Sequence, residues 1–530
     1  MTTHQAPHPV QERAGRQEWT GLAVLLLLPL LLVSMDVSVL YFAVPFIARD
    51  LEPTSTQQLW IFDIYGFVLA GLLITMGSLG DRIGRRRLLL MGAAAFSLAS
   101  LGAAYSHTAG QLIAARAVLG IAGATLMPST LALIRNMFHD EKQRRTAVAI
   151  WTGATMSGIA LGPVVSGVLL NHFWWGSVFL INIPFMIVLL ALGPALVPEY
   201  RTPQAGRFDL ISSVLSLGAV LPVIYGIKEI AANGLNLERV LWIAAGVAVG
   251  AAFAVRQARS PAPMIDLTLF RSRGFTGSVL MNLVSMFAIV GFAIFATQYL
   301  QSVLGMSPLT AALWSLVPMA GTFTAAPLAQ MLAGRVDRAY LAAGGFVVAA
   351  AGFAGLTQLR PHTPIAFLLV CAAIYAGGIV GVMTVGNELI LGAVPPERAG
   401  AAAAVVETAT EFGAALGIAI LGSIGVAAYR SQLAASAPAG IPPADLGVAR
   451  NTLGGAVTVA GQLPGRIGTG LLEAARGAFT HGLNDAALGA AIVMTVAAVL
   501  SVTFFRSVRV ESPAPAAGPP VAESHPEMVR

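Results

Sequence analysis

Gly77-Ser78-Leu79-Gly80-Asp81-Arg82-Ile83-Gly84-Arg85-Arg86-Arg87 joins two long apolar runs, 58–79 and 88–106. Its glycines permit a tight turn and close helix approach. Asp81 can pair with an arginine or cap a neighbouring helix. Each flanking run has about the 20 residues needed to cross the hydrocarbon core of a bilayer. A short turn so rich in charge cannot lie in lipid, so the stretch reads as a cytoplasmic turn between two membrane helices.

The same alternation continues along the chain. Apolar runs fall at 21–48, 110–134, 146–170, 176–197, 208–227, 240–256, 275–301, 308–333, 340–358, 364–392, 399–428 and 485–505, fourteen spans with the first pair. Composition agrees: 56% of the 530 residues are hydrophobic, 11% are charged, and mean hydropathy is +0.77. Soluble domains carry about 25% charged residues, so lipid must be the solvent for much of this chain. The net charge of +6 forms no single basic stripe, which argues against nucleic acid as a partner. Cys371, the one cysteine, permits no intramolecular disulfide and no cysteine cluster. The polar tail before Trp19 leads into a full span rather than a cleavable signal.

Basic residues orient the spans. Arg82, Arg85, Arg86, Arg87, Arg135, Lys142, Arg144, Arg145, Arg201, Arg207, Arg256, Arg259, Arg271, Arg273, Arg335, Arg338 and Arg398 all fall on one side, whereas loops 107–110, 171–175 and 302–307 have no lysine or arginine. The positive-inside rule then puts both termini in the cytoplasm of a bacterial cytoplasmic membrane, with Lys228 and Arg239 as exceptions in an outer loop. The expected organisation is a tail at 1–20, a six-helix bundle at 21–200, an inserted hairpin at 201–257, a proline-bearing cytoplasmic linker at 258–274 and a second bundle at 275–507. That second bundle includes a long outer loop at 430–481, expected to form an ordered cap or hairpin rather than a slack linker. A Pro/Ala-rich disordered tail, 508–530, follows.

Three further stretches carry motifs. Gly334-Arg335-Val336-Asp337-Arg338 echoes the basic turn in the second half. Arg116 stands in Leu112-Ile113-Ala114-Ala115-Arg116, inside an apolar helix, where a cation needs a partner or a wet cavity. Gly158-Ile159-Ala160-Leu161-Gly162-Pro163-Val164-Val165-Ser166-Gly167 puts small residues one turn apart before a proline, giving a close-packed, kinked helix.

The turn at Gly77, Gly80, Asp81, Arg82, Gly84 and Arg85 strongly resembles the loop signature of the major facilitator superfamily. The stretch Gly158, Gly162, Pro163, Gly167 resembles the motif of its proton antiporters, departing at Ser166, where glycine is usual. With the span count, Asp36 within Met35–Pro45, and Asp63 within Trp60–Tyr65, the chain looks like the fourteen-span drug:proton antiporters of the QacA/SmvA type. The resemblance implies an all-α major facilitator fold, with two six-helix halves plus a two-helix insertion at 208–256. It also implies a monomer that exports lipophilic cations, leaving room for a periplasmic adaptor.

The acids supply the chemistry. Asp36 lies near the middle of the first span, where a charge costs about 2.5–3.5 kcal/mol to insert. Such a carboxylate can trade a proton for a cation. Asp63 lies nearer the outer end of the second span. Glu407 and Glu411, four residues apart, share one helical face, and the resemblance assigns acidic cation-recognition positions to their span; which of the two is the key acid stays open. Arg116, Glu388 and Asn387 are expected to be polar cavity or gate residues, and Trp60, Tyr65, Phe287, Phe292 and Tyr299 aromatic surfaces for a cation. The resemblance implies an aspartate in span ten of some members; here that stretch, Val317–Phe323, has no acid, which argues against divalent substrates. Asp209 is expected to cap the seventh span.

No Gly-x-x-x-x-Gly-Lys-Ser/Thr loop exists, so ATP is not the driver. His139, Asp140 and Glu141 read as a solvated loop; no metal and no cofactor is expected. The proton gradient is the simplest source of energy. An exporter of an antibiotic or other natural product is the alternative within transport, and a non-transporting membrane sensor the alternative outside it.

Overall fold

A computed structural model of the chain describes residues 19–138, 140–200, 210–260, 267–333, 335–393 and 399–505, and every regular element among them is helical. We label the helices α1 (Leu27–Leu51), α2 (Ser55–Ile83), α3 (Arg85–Ala104), α4 (Ala109–Met137), α5 (Glu141–His172), α6 (Asn182–Leu196), α7 (Leu210–Asn233) and α8 (Leu237–Arg259). Then come α9 (Arg273–Gln298), α10 (Met319–Ala333), α11 (Arg338–Leu356), α12 (Ile365–Ala393), α13 (Ala399–Ser436), α14 (Pro443–Asn451), α15 (Leu453–Gln462) and α16 (Gly465–Phe505). Side-chain caps set many of the starts. Thr54 accepts from Gln57 N while the Gln57 side chain accepts from Thr54 N, closing both ends of the box that opens α2. Thr108, Asp140, Ser272 and Asp337 cap α4, α5, α9 and α11.

Among the described residues, twelve helical segments are long and apolar enough to cross a membrane, and α1, bent by 43° between Asp36 and Ser38, is a thirteenth when taken as one span. The 32-residue α5, whose first turns carry Glu141, Lys142, Arg144 and Arg145, lies outside that set and packs along α1. The chain is thus a multi-pass helical membrane protein. Two sets of helices pack internally: α1 on α5, α2 and α3 on α4, α3 on α6; then α9 on α13, α11 on α12 and α16, α13 on α16. Small residues bring the axes together. A Cβ on Gly158 would lie 3.0 Å from Ser34 Cβ, and one on Gly291 2.6 Å from Gly417 O.

The two sets meet through α2 with α13, α1 with α9, and α5 with the short helix Pro308–Trp314. Leu59 abuts Gly422, the rings of Phe67 and Phe412 are 6.2 Å apart, and Gly167 lies against Leu309. The pair α7–α8 packs on itself, and α7 also leans on both α2 and α13.

At 430–481 the helices extend past the bounds read from the sequence. Helix α13 runs on to Ser436 and α16 begins at Gly465, twenty residues before the expected span; between them α14 and α15 form a helical cap. Prolines mark the breaks: Pro438 and Pro442 precede α14, Pro443 opens it, and Pro464 precedes α16. Tyr429 reaches the carbonyls of Ala449 at 2.7 Å and Thr452 at 3.3 Å. Ser55 donates to Asn451 O at 2.6 Å, and Gly454 sits against Ala48, so the cap rests on both sets of helices. The expected cap at Asp209, the linker core 261–266, Gly334, His139 and the tails lie outside the described residues.

Candidate functional site

Asp36 and Arg116 are buried together between α1 and α4 and form an ion pair. The guanidinium has no accessible surface, donates from Nε to Ile61 O at 3.0 Å, and stacks 4.8 Å from the Tyr65 ring centroid. A buried ion pair needs its remaining donors satisfied, and the Ile61 carbonyl of α2 does this. Gly120 makes room: a Cβ there would meet Tyr65 O at 2.7 Å. On the other side, Gly158 and Gly162 lie against Leu31–Ser38 of α1, flanking Asp36. Ser166 Oγ donates to Val39 O at 2.9 Å, so the serine in place of the usual glycine ties the motif helix to α1.

A second pair was missed by the sequence reading. Lys228 is not in an outer loop: α7 extends to Asn233, and the ammonium is fully buried. Nζ donates to Asp63 Oδ1 at 2.8 Å, lies 2.6 Å from Oδ2, and stands 3.9 Å from the Trp60 ring centroid. Asp63, expected nearer the outer end of its span and so in a wetter place than Asp36, is instead fully buried, and Trp60 faces a cation belonging to the chain itself. The signal was present: Lys228 sits only one residue past the apolar run read as 208–227.

Glu407 and Glu411 of α13 are half-buried, and Glu411 is within electrostatic reach of Glu407, Tyr41 and Tyr65. The acidic face of the second set thus approaches the buried pair of the first. Asn387 is exposed, and the side chain of Glu388 lies outside the described ones. Two of the aromatic candidates are packing residues. Phe292 is enclosed by Phe295, Phe353 and Tyr375, and Tyr299 is buried, with its hydroxyl donating to Arg360 O at 2.7 Å. Phe287 is also buried in that core.

The basic turn is braced from within and from α6. Gly84 has φ +111°, which a side chain would strain. Arg85 donates to Asp81 at 2.6 and 2.9 Å and, through its backbone N–H, to Tyr200 O at 3.0 Å. Arg86 donates to Pro194 O and Val197 O, each at 3.0 Å, and its N–H to Glu199 Oε1 at 3.1 Å. Gly77 faces Pro128 of α4, Gly80 lies under Arg85, and Arg82 closes the last turn of α2. In the weaker echo, Asp337 caps α11 through Ala339 N at 2.8 Å.

The family model described as Major Facilitator Superfamily matches residues 26–418. The chain belongs to this superfamily. Multidrug efflux pump LfrA of Mycolicibacterium smegmatis is 45% identical over 96% of this chain and 100% of its own length. Methyl viologen resistance protein SmvA of Salmonella typhimurium is 36% identical over 90% of this chain and 97% of its own. The tetracenomycin C resistance and export protein of Streptomyces glaucescens is 30% identical, with 97% of each chain covered. A bacterial homologue of the human lysosomal transporter Spinster, in an inward-facing and unoccupied conformation, shares the fold. Its TM-score is 0.65 at 18% identity, over 94% of this chain and 99% of that one.

As a major facilitator with multidrug-efflux relatives, the chain is a membrane transporter and not an enzyme.

Proposed function

We propose that this transporter is a proton-coupled antiporter that exports lipophilic cations by alternating access, with fourteen spans and both termini cytoplasmic. The count adds α5 to the thirteen segments above; its basic first turns would lie at the inner surface. In this topology the contacts Leu59–Gly422 and Gly167–Leu309 between the sets fall toward the outer side, and we read the substrate as entering from the cytoplasm.

The observation that carries the reading is Asp36, a carboxylate buried at the contact between helices and balanced by one buried cation, Arg116. A proton and a positive substrate both discharge such an acid, so their binding is antagonistic by linkage. A cation from the cytoplasm displaces the proton; a proton from outside releases the cation. Glu411 approaches from the other set, so a cation between the sets can be neutralised from both sides. Dyes and quaternary ammonium compounds fit this charge pattern. The antibiotic exporters among the relatives support a second reading, export of a natural product.

The test is Asp36→Asn in proteoliposomes with an imposed pH gradient. Ethidium transport should be abolished at matched protein content. Glu407→Gln and Glu411→Gln should each impair a subset of cations, divalent ones most. Normal gradient-driven ethidium transport by Asp36→Asn would rule out the carrier role.

A further inference from the structure

The Asp63–Lys228–Trp60 group has the construction of an organic-cation site that is already filled. An ammonium lies 2.6–2.8 Å from both oxygens of a carboxylate and 3.9 Å above an indole. Charge-assisted hydrogen bonds and a cation–π contact are the two forces by which proteins hold such ligands. The cation comes from α7, a helix wedged against both sets: Phe67 and Trp60 of α2, Ile224 of α7, and Ala415 and Ala419 of α13 share one apolar cluster. Ser216 Oγ lies 3.4 Å from Gly71 O one helical stretch further along, so α7 is seated along α2 rather than touching it at one point. Arg116 is also within electrostatic reach of Asp63. Asp63 therefore already carries a cation of the chain itself, leaving Asp36, Glu407 and Glu411 as the described acids proposed to meet the substrate.

We propose that Lys228 is a tethered cation that determines charge specificity: by occupying Asp63 and Trp60 it withholds one carboxylate from the substrate and biases the transporter toward singly charged cations. This rests on the cation-export reading above. Lys228→Met keeps most of the side-chain volume and removes the charge, which exposes Asp63 and the Trp60 face to a second positive group on the substrate.

The experiment measures displacement of ethidium from purified protein in nanodiscs by methyl viologen, a dication, and by tetraphenylphosphonium, a monocation. The readout is the ratio of their affinities, which a loss of packing alone leaves unchanged because it weakens both. Lys228→Met should raise the ratio in favour of the dication about tenfold, the equivalent of roughly 1.4 kcal/mol. Asp63→Asn, which leaves the ammonium unbalanced, should lower it. Lys228→Met with Asp63→Asn should return it to the parental value. If Lys228→Met does not fold, Asp63→Asn decides: an unchanged ratio overturns the proposal. An unchanged ratio in folded Lys228→Met overturns it as well, and makes the pair a structural tie. A parental protein that binds no cation removes the export reading and this inference together; a protein that binds ethidium with no shift in ratio removes this inference alone.

Discussion

Replacing Arg116 by alanine should leave Asp36 buried without its counter-charge. Removing one partner of a buried pair costs about 3–5 kcal/mol. Arg116→Lys keeps the charge but gives up the separate donation to Ile61 O, at about 1.5–3 kcal/mol. Unfolding in mixed micelles titrated with sodium dodecyl sulfate measures both variants. Alanine should be the worse of the two, and it should impair transport more than lysine does. Equal stability of the two variants would refute Arg116 as the counter-charge of Asp36.

Gly84→Ala places a side chain at φ +111° and against Glu199, so it should cost about 1–3 kcal/mol locally. Ethidium transport should slow while binding to the purified protein persists. Tyr429→Phe removes the hydroxyl that reaches Ala449 and Thr452; proteolysis between residues 437 and 464 should accelerate, with membrane insertion unchanged. Deleting the cap should alter export without preventing insertion, and unchanged export would deny it a role. A cysteine placed after Arg509 in a Cys371→Ser background should react only with reagents that reach the cytoplasm; labelling from outside would break the even span count.

The helical membrane architecture was legible because apolar runs of span length and arginine-rich turns are both required by the bilayer, and both are local properties of sequence. Asp36 and Arg116 were legible singly, as charges where charges are costly. Their pairing followed only once α1 and α4 were packed, because eighty residues separate them. Lys228 was hidden by a boundary: the reading ended the seventh span at residue 227, where the first charge appeared, although burial against Asp63 carries α7 past it. Phe292 and Tyr299, read as aromatic surfaces for a cation, pack among other side chains in the structure. An aromatic ring in a membrane helix looks the same in sequence whether it faces a cavity or three other rings. The bounds of the segment 430–481 were misplaced because Arg430, Arg466, Glu473 and Arg476 depress hydropathy where α13 and α16 continue.

Helix α16 acts as a lever. Asn484 donates to Leu359 O and Arg476 to Ser302 O, which brackets the level of the turns that follow Val303 and Leu356. The stretch Gly465–Thr480 therefore projects about 24 Å along its axis at 1.5 Å per residue. Its tip is then about 40 Å from the bilayer midplane. A rocking of roughly 10° about that plane, the kind of motion expected when one bundle tilts against the other, would sweep the tip through about 7 Å. Gly454 and Ala48 touch much lower, about 18 Å along α1 from Asp36, so the same tilt would move that contact by only about 3 Å. The far end of α16 is therefore a place where a modest tilt in the membrane becomes a displacement large enough for a distance probe to read outside it.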